Sequence, residues 1–392
     1  MKLSIYFKKF FESSQSSGIL LILCVALALG IANSSLAESF QNFLDREIGF
    51  NLFHLNYPVS IWINDGLMAI FFLLVGLEIK REVVEGELSS FKNASLPIFA
   101  AIGGMIVPAI IYTAFNYGTE YGNGWGIPMA TDIAFSLAII SMLGKKVPNS
   151  IKIFLAALAI VDDLGAILVI AIFYTEQIHW MYIFLSLGVS CLLFLLNYFK
   201  VTKIIFYLIP GVFLWYFLHH SGIHATIAGV VLAFSIPTNI STTEISPLEK
   251  LEHQLHFPVS FLIMPIFALT NTNITFTNGM IDGLFSGLGL GIVCGLVLGK
   301  LIGINLFSFI AIKSRISSLP QNSSWMQMLG VGLLAGIGFT MSIFIALLSF
   351  KGEIEIQDEA KFAILIASFI AAISGYIILN LNSSKILEDE ED

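Results

Sequence analysis

The run from Ile151 to Phe173 is long enough to cross a lipid bilayer and apolar at both ends, yet it carries Asp162 and Asp163 side by side in its middle. Each carboxylate at such a depth costs about 2.5–3.5 kcal/mol on insertion scales. A helix used only as an anchor would not carry that cost twice. The pair therefore predicts a proton relay or a cation site facing a wet cavity; a buried pair satisfied by a neighbouring base is the structural alternative.

Apolar runs recur along nearly the whole chain. Of the 392 residues 57% are hydrophobic and only 12% are charged, and the mean hydropathy is +0.88. We count about twelve spans of bilayer length. Their approximate positions are 13–32, 59–79, 95–116, 124–143, 151–174, 181–199, 204–219, 223–236, 248–270, 284–311, 326–350 and 358–381. We therefore expect an all-α polytopic membrane protein with one domain over residues 1–392, no cofactor and no nucleic-acid partner.

The basic residues predict the orientation of these spans. If the N-terminus is cytoplasmic, fifteen of the 19 Lys and Arg residues fall in cytoplasmic segments, three fall outside (Arg46, Lys351 and Lys361), and Lys300 lies within a span. This bias predicts that both termini are cytoplasmic, with a short N-terminus at about 1–12 and an acidic tail at about 385–392. The first span also resembles a cleavable signal peptide, but the many later spans favour an uncleaved helix.

Lys300 is the second charged residue at depth. It lies in an apolar run whose glycines recur every fourth residue, at Gly287, Gly291, Gly295, Gly299 and Gly303. This spacing predicts a smooth helix face that another backbone can approach closely. The glycines do not explain a buried ammonium, which needs a partner. Successive helix residues point about 100° apart, so one of the two adjacent aspartates can pair with Lys300 while the other faces the ion path.

Two spans carry signs of interruption. Pro128 is followed by Ala130, Thr131 and Asp132, and the proline predicts a break around 128–132. The span at 326–350 has Gly330, Gly332, Gly336 and Gly338 before Phe339, which predicts a second break. In the counted topology these two spans run in opposite directions. Interrupted helices of opposite direction in two halves of a chain are typical of secondary transporters. We expect Asp132 to offset the N-terminal ends at the breaks and Lys300 the C-terminal ends.

Several strings resemble the bacterial NhaA-type sodium/proton antiporters, in the same order and over nearly the whole chain. They are FFLLVGLEIKRE (71–82), AAIGGMIVPA (100–109), ATDIAF (130–135), VDDLGAI (161–167), SGIHATIAG (221–229), LEHQLH (251–256) and GIGFTMSIFIA (336–346). The resemblance implies twelve helices, with an inverted repeat of helices 3–5 and 10–12. Helices 4 and 11 would be interrupted and would cross at the midplane of the bacterial inner membrane.

The resemblance also implies roles for individual residues. Asp163 is the expected principal sodium ligand and proton carrier, Asp162 lies beside it with Lys300 as partner, and Thr131 and Asp132 line the crossing. Asp65 matches an acid needed for activity. Eight residues match the family's pH-sensing region: Glu78, Arg81, Glu82 and Glu85 on one segment, and Glu249, Glu252, His253 and His256 on another. His224 matches a histidine linked to the pH profile.

Three local features complete the comparison with this family. The segment from Phe43 to Tyr57 corresponds to the place where the family forms a β-hairpin for dimer contacts, so a homodimer is expected. Leu301 stands where the family pattern has proline. The stretch from Thr270 to Asn273 replaces a smaller one rich in Ala and Gly. These two departures leave the charged residues intact but put the local shape of spans 9 and 10 in question.

The chemistry of exchange fits carboxylates. Sodium is a hard cation that prefers oxygen ligands, and the same carboxylates bind protons when they are desolvated. Competition between Na⁺ (and Li⁺) and H⁺ for Asp162 and Asp163 would couple the two fluxes without an enzymatic step. If both acids, or one acid and the Lys300 ammonium, exchange protons, more than one proton returns per cation and the exchange is electrogenic.

Three rival classes fit less well. An intramembrane aspartyl protease needs carboxylates on two facing helices, whereas these two are neighbours. Glu252, His253 and His256 resemble a zinc-hydrolase motif, but the histidines are three residues apart instead of four. A passive cation channel would be hindered by a buried lysine on its pathway.

Overall fold

The computed structural model describes residues 14–51, 54–175, 177–238, 246–276 and 279–382. The predicted N-terminus at 1–12 and tail at 385–392 lie outside these residues. The chain divides into two compact units: a first unit of residues 1–23, 87–166 and 274–392, and a second unit of residues 24–86 and 167–273. Each is described by itself.

Helices account for most of the described residues. In chain order they are α1 (Ser14–Ala32), α2 (Ala37–Leu44), α3 (Val59–Val84), α4 (Phe91–Asn116), a 3₁₀ helix (Glu120–Met129), α5 (Ile133–Met142), α6 (Asn149–Phe173), α7 (Trp180–Tyr198), α8 (Ile205–Ser221), α9 (Ile227–Ser235), α10 (Pro247–Asn271), α11 (Met280–Gly283), α12 (Gly287–Lys313), α13 (Trp325–Leu334), α14 (Phe339–Ser349) and α15 (Ile354–Leu381). Short 3₁₀ turns lie at Glu87–Ser89 and Gly144–Lys146. Three of the long helices contain π-helical segments, at Trp62–Leu67, Val259–Ile263 and Gly295–Gly299.

Local sequence explains where these helices begin and end. Ser246 and Glu249 form a reciprocal capping box at the start of α10, and Pro247 occupies the first turn, where its missing N–H is harmless. A second capping box, Ser324 with Gln327, begins α13. Helix α8 ends at Gly222, whose φ of 86° lies in the left-handed region that glycine tolerates.

The first unit is built around α4 and α12. The glycine face of α12 lies against α4, as predicted: Gly303 meets the carbonyl of Gly103, and a Cβ added to Gly299 would lie 2.7 Å from the Cα of Pro108. The first unit also contains both interrupted helices. The 3₁₀ helix and α5 bend by 43° across residues 130–132, and α13 and α14 bend by 46° across residues 335–338. Both predicted breaks are confirmed.

The second unit packs α3, α8, α9 and α10 around a leucine-rich core that includes Leu73, Leu77, Leu214 and Leu232. The chain from Phe43 to Tyr57 contains the predicted hairpin. Strand β1 (Glu47–Phe50) pairs antiparallel with β2 (Leu55–Pro58), with Glu47 opposite Pro58 and Phe50 opposite Leu55.

Seven described helices are long and apolar enough to cross a membrane, and the number reaches ten if each bent pair counts as one span. Helix α7 leaves most of its apolar side chains exposed, because only 11% of its most apolar window is buried in the protein. Such an apolar surface is stable in the hydrocarbon core of a bilayer. The predicted fold class, an all-α polytopic membrane protein, is confirmed apart from the small hairpin. Helices α8 and α9, with 17 and 9 residues, stand where we counted the seventh and eighth spans. The number twelve, the inverted repeat and the crossing at the midplane stay predictions.

Candidate cation site and charged cluster

Asp132 connects the two breaks of the first unit. Its Oδ1 accepts a hydrogen bond from Phe135 N (3.0 Å), which caps the start of α5. Its Oδ2 accepts from Thr340 N (3.2 Å) and from the Thr340 hydroxyl, in the first turn of α14. Its backbone N donates to Ile337 O at 2.7 Å. One carboxylate thus offsets the positive ends of two helices, as the sequence predicted.

Hydroxyl groups satisfy the carbonyls left open at the same breaks. Ser136 donates to Leu334 O (2.9 Å), and Ser342 donates to Ile127 O (2.7 Å). Thr131 Oγ1 lies 2.8 Å from Ala335 O. We expected Lys300 to offset these C-terminal ends, but the groups that bond them are neutral hydroxyls, and the ammonium bonds a carboxylate instead. The two hydroxyls of Ser136 and Ser342 were missed in the sequence.

Lys300, Asp162 and Thr131 form a buried cluster. Lys300 Nζ donates to Asp162 Oδ2, and Thr131 Oγ1 lies 2.6 Å from the same oxygen. Lys300 is 0% exposed, and Asp162 and Asp163 are each 1% exposed. The expected pairing of Lys300 with Asp162 is confirmed as a contact. Among the residues that the structure describes, no hydrogen bond reaches Asp162 Oδ1, so this buried oxygen has capacity for a ligand.

The oxygen atoms of this cluster are the type of ligand that a hard cation prefers. Two carboxylates and a hydroxyl offer oxygen ligands, and helix α6 carries both acids in one turn. Within the described ranges, no three His, Cys, Asp or Glu side chains converge as they do around a resident metal ion. Besides the two carboxylates, the cluster contains the Thr131 hydroxyl and the Ala335 carbonyl that lies next to it.

Asp65 belongs to the second unit, in the π-helical segment of α3. Its Oδ2 lies 3.3 Å from His219 Nδ1, and its backbone carbonyl accepts a hydrogen bond from Trp215 Nε1 (3.2 Å). The sequence singled out Asp65 but not its partner His219. His219 lies at a helix end that is rich in aromatic residues, and nothing in its spacing from other residues indicates a partner for Asp65.

The predicted charged cluster is brought together only in part. Arg81 Nη1 lies 3.2 Å from Glu252 Oε1, and Arg81 Nη2 lies 3.0 Å from Glu82 Oε1, so α3 and α10 are joined by an ion pair. Glu78 is partly buried one helical turn before this pair, on the same face of α3. Glu249 instead caps its own helix through Ser246.

The remaining members of that predicted set form no part of this ion pair. His253 and His256 are exposed on α10, where His253 is close enough to Glu252 to act on its charge, and Glu85 is exposed just after the end of α3. His224 lies beyond the end of α8, with Nδ1 3.1 Å from Thr226 Oγ1. A residue that we had not singled out, Lys80, donates to the carbonyls of Phe234 (2.8 Å) and Ile236 at the end of α9, where a cation offsets the helix dipole.

Both departures from the family pattern have a local structural account. Leu301 continues α12 directly after the π-helical segment, and its carbonyl accepts from Asn305 Nδ2 (2.8 Å). Asn271, in the polar stretch 270–273, exchanges two amide hydrogen bonds with Asn64, at 2.7 and 3.2 Å. The polar stretch thus ties the end of α10 to the segment that carries Asp65.

Comparisons with known proteins agree with this geometry. The family model described as Na⁺/H⁺ antiporter 1 matches residues 8–379. The chain is 58% identical to Na⁺/H⁺ antiporter NhaA 2 of Flavobacterium johnsoniae, over 95% of this chain and 92% of the relative. It is 52% identical to Na⁺/H⁺ antiporter NhaA of Flavobacterium psychrophilum, over 97% of each chain. It is 48% identical to the protein of the same name in Pelagibacter ubique, over 97% of this chain and 98% of the relative. The chain therefore belongs to the Na⁺/H⁺ antiporter 1 family.

Proposed function

We propose that this protein exchanges Na⁺ for H⁺ across a bacterial inner membrane, and that the two ions compete for Asp162 and Asp163. The observation that carries the proposal is the buried cluster of Lys300, Asp162 and Thr131 at the contact between two interrupted helices. Relatives that are named Na⁺/H⁺ antiporters supply the identity of the ions. The orientation, with both termini cytoplasmic, rests on the distribution of basic residues.

The chemical argument begins with desolvation. A buried carboxylate is costly when charged, and either a proton or a metal cation relieves that cost. Asp162 is already held by Lys300 and Thr131, whereas Asp163 contributes a second carboxylate within the same helical turn. A cation bound between them displaces protons, and a proton bound there excludes the cation. Alternating exposure of such a site exchanges one ion for the other without a cofactor.

The test of the site is Asp163→Asn in purified protein reconstituted into vesicles with an imposed proton gradient. We expect no Na⁺-driven dissipation of the gradient, because the amide keeps the shape but loses the charge and the proton. Asp282→Asn is the matched control, since Asp282 is an exposed acid on α11 in the same unit. Exchange at the wild-type rate by a folded Asp163→Asn protein would end the assignment of this residue.

The same vesicles address selectivity and stoichiometry. We expect Li⁺ to replace Na⁺ and K⁺ to be inactive, because a small site with two carboxylates favours small hard cations. If more than one proton moves per cation, an inside-negative or inside-positive potential, clamped by K⁺ and valinomycin, shifts the gradient at which net exchange stops. A null point that ignores the clamp potential would show that exchange is electroneutral.

We further propose that the charged cluster of α3 and α10 regulates exchange by pH. The ion pair of Arg81 with Glu252 joins the two helices, and His253 and His256 lie on α10 beside it. Histidine is the side chain that ordinarily changes charge near neutral pH, so protonation would add positive charge next to this pair. Such a change biases the balance between conformations of the transporter.

Activity is therefore expected to fall toward pH 6.5 through two separable effects. Competition at the aspartates is overcome by raising Na⁺, whereas a change in the charged cluster is not. The joint replacement His253→Ala with His256→Ala should displace the pH midpoint at saturating Na⁺. His54→Asn, in the turn of the hairpin, is the matched control, since asparagine tolerates its positive φ of 52°. A midpoint that stays in place in the double variant would leave competition at the aspartates as the whole pH response.

The hairpin of β1 and β2 is proposed as the contact surface of a homodimer. In a two-stranded sheet each strand has one outer edge, and such an edge can pair with a strand of another chain. Removal of residues 45–58 is expected to yield monomers in detergent, as measured by mass in solution. A dimer that persists without the hairpin would refute this role.

A further inference from the structure

Asp65 lies in an unusual stretch of backbone. The π-helical segment Trp62–Leu67 interrupts α3. Such segments are rare in proteins as a whole, and many of those that occur lie at functional sites. Two adjacent residues inside the segment are held by other helices. Asn64 exchanges two amide hydrogen bonds with Asn271, and Asp65 is contacted by two residues of α8.

The two residues of α8 hold different parts of Asp65. Trp215 Nε1 donates to the backbone carbonyl (3.2 Å), while His219 Nδ1 lies 3.3 Å from the carboxylate oxygen Oδ2. Trp215 and His219 are four residues apart, so both project from one face of α8 toward Asp65. The His219 side chain is 12% exposed and that of Asp65 is 24% exposed, so water screens their contact only partly.

Aromatic rings fix the position of the His219 imidazole. It stacks on the Trp215 indole, with ring centroids 5.4 Å apart, and it meets the Tyr57 ring edge-on at 4.9 Å. Trp62 also stacks on Trp215, with ring centroids 5.9 Å apart, and its Nε1 donates to Ile48 O of the hairpin (2.8 Å). The imidazole therefore has little freedom to turn away from Asp65.

Tyr57 lies close enough to Asp65 for their charges to interact. Burial raises the pKa of the Tyr57 hydroxyl, and the nearby negative charge of Asp65 raises it further. The phenol thus stays neutral and adds no negative charge beside His219. His219 also lines a cavity of about 540 Å³, together with His220, His179, Gln177 and Gly222.

We propose that His219 is a positioning residue for exchange, which holds the Asp65 carboxylate in place through its Nδ1. This proposal rests on the proposed function, in that Asp65 is taken as an acid needed for exchange. His219 itself lies just before the family-like string SGIHATIAG and outside all the strings that carry the resemblance. We expect the loss of His219 to change the affinity for Na⁺ and the rate of exchange, because the Asp65 carboxylate would lose its orientation. The backbone of Asp65 would stay in place, since Asn64 and Asn271 still hold the segment.

The experiment compares three replacements of His219 in reconstituted vesicles. His219→Leu removes the donor, His219→Asn puts an amide N–H near the position of Nδ1, and His219→Gln puts one near the position of Nε2. We expect the leucine variant to need about tenfold more Na⁺ for half-maximal exchange, since a hydrogen bond to a charged group is lost. The asparagine variant should return to within about twofold of wild type, and the glutamine variant should not.

Controls separate this role from general damage. His220→Asn alters the neighbouring imidazole, which bonds the Tyr216 carbonyl, and is expected to exchange normally. Exchange is compared only among variants whose midpoint of heat denaturation equals that of the wild-type protein. If His219→Leu does not fold, the asparagine and glutamine variants decide the question, because both keep a polar side chain and differ in where the donor lies. Equal exchange by these two variants would overturn the proposal.

Asp65→Asn separates the role of Asp65 from the role of His219. Wild-type exchange by this variant would show that exchange does not need Asp65; it would overturn the role of His219 and leave the competition at Asp162 and Asp163 unaffected. Impaired exchange by Asp65→Asn together with normal exchange by His219→Leu would overturn only the role of His219. If His219 acts through Asp65, His219→Leu adds no further loss to any exchange that remains in Asp65→Asn, and an additive loss would overturn the proposal as well.

Discussion

Replacing Lys300 by alanine should destabilise the protein strongly. The ammonium is fully buried, and its Nζ contacts Asp162 Oδ2. In the variant that oxygen keeps only the Thr131 hydroxyl at 2.6 Å, and Oδ1 has no hydrogen bond among the described residues. Removing one partner of a buried ion pair costs about 3–5 kcal/mol, because the other charge is left uncompensated. The stem of the lysine adds a packing loss, since the whole side chain is buried.

A double-mutant cycle separates the charge from the packing. Lys300→Met keeps most of the stem and removes the ammonium, so its loss reports the ion pair. Adding Asp162→Asn to Lys300→Met removes the orphaned charge and should restore most of the stability. Lys300→Arg should be milder for stability because the charge persists, although any transfer of a proton by Lys300 is lost.

The assay is the fraction of purified protein that remains monodisperse after heating in detergent. The midpoint is compared among wild type, Lys300→Ala, Lys300→Arg, Lys300→Met, Asp162→Asn and the double variant of the last two. We expect a clear drop for Lys300→Met and a larger one for Lys300→Ala. A midpoint equal to wild type in Lys300→Ala, or a drop that Asp162→Asn does not reverse, would refute the reasoning from the buried ion pair.

Two further changes test the contacts of the first unit. Thr340→Val removes the hydroxyl that bonds Asp132 and should cost about 1–3 kcal/mol, while Thr340→Ser keeps the donor and should stay near wild type in the same heating assay. Gly303→Ala brings a methyl group against the Gly103 carbonyl and should cost about 1–3 kcal/mol; Gly188→Ala, where a Cβ meets open space, is its control, and equal midpoints for the two would contradict the close approach.

The charged residues at depth were predictable because each of them is expensive in a bilayer. Asp162, Asp163 and Lys300 stand out against apolar neighbours, and the need to compensate one ammonium pointed to an aspartate. The breaks were predictable for a related reason: Pro128 and Gly338 interrupt runs that otherwise have helical composition. These signals are local, and each can be read without knowing which helices are neighbours.

The hydroxyl contacts could not be predicted in this way. A serine inside a helix ordinarily bonds a carbonyl of its own preceding turn, so Ser136 and Ser342 carry no sign of a distant partner. His219 lies among aromatic residues that resemble an interfacial belt, and only the folded second unit brings its Nδ1 to Asp65. Hydropathy also misjudged the length of α9, because an apolar run does not specify where its helical conformation ends.

The double cap at Asp132 has a consequence for biosynthesis. Asp132 and its partner Thr340 are 208 residues apart in the chain, so a ribosome working at about 5–20 residues per second adds Thr340 about 10–40 s after Asp132. During that interval Thr131, Asp132 and Ser136 wait in or near the bilayer without their partners from residues 334–340. Polar groups without hydrogen-bond partners are costly in the lipid hydrocarbon. The part of the chain that is made first must therefore keep these groups in contact with water or with the insertion machinery. A chain that stops short of residue 334 should be recognised as unfinished and degraded, however well its first helices are inserted.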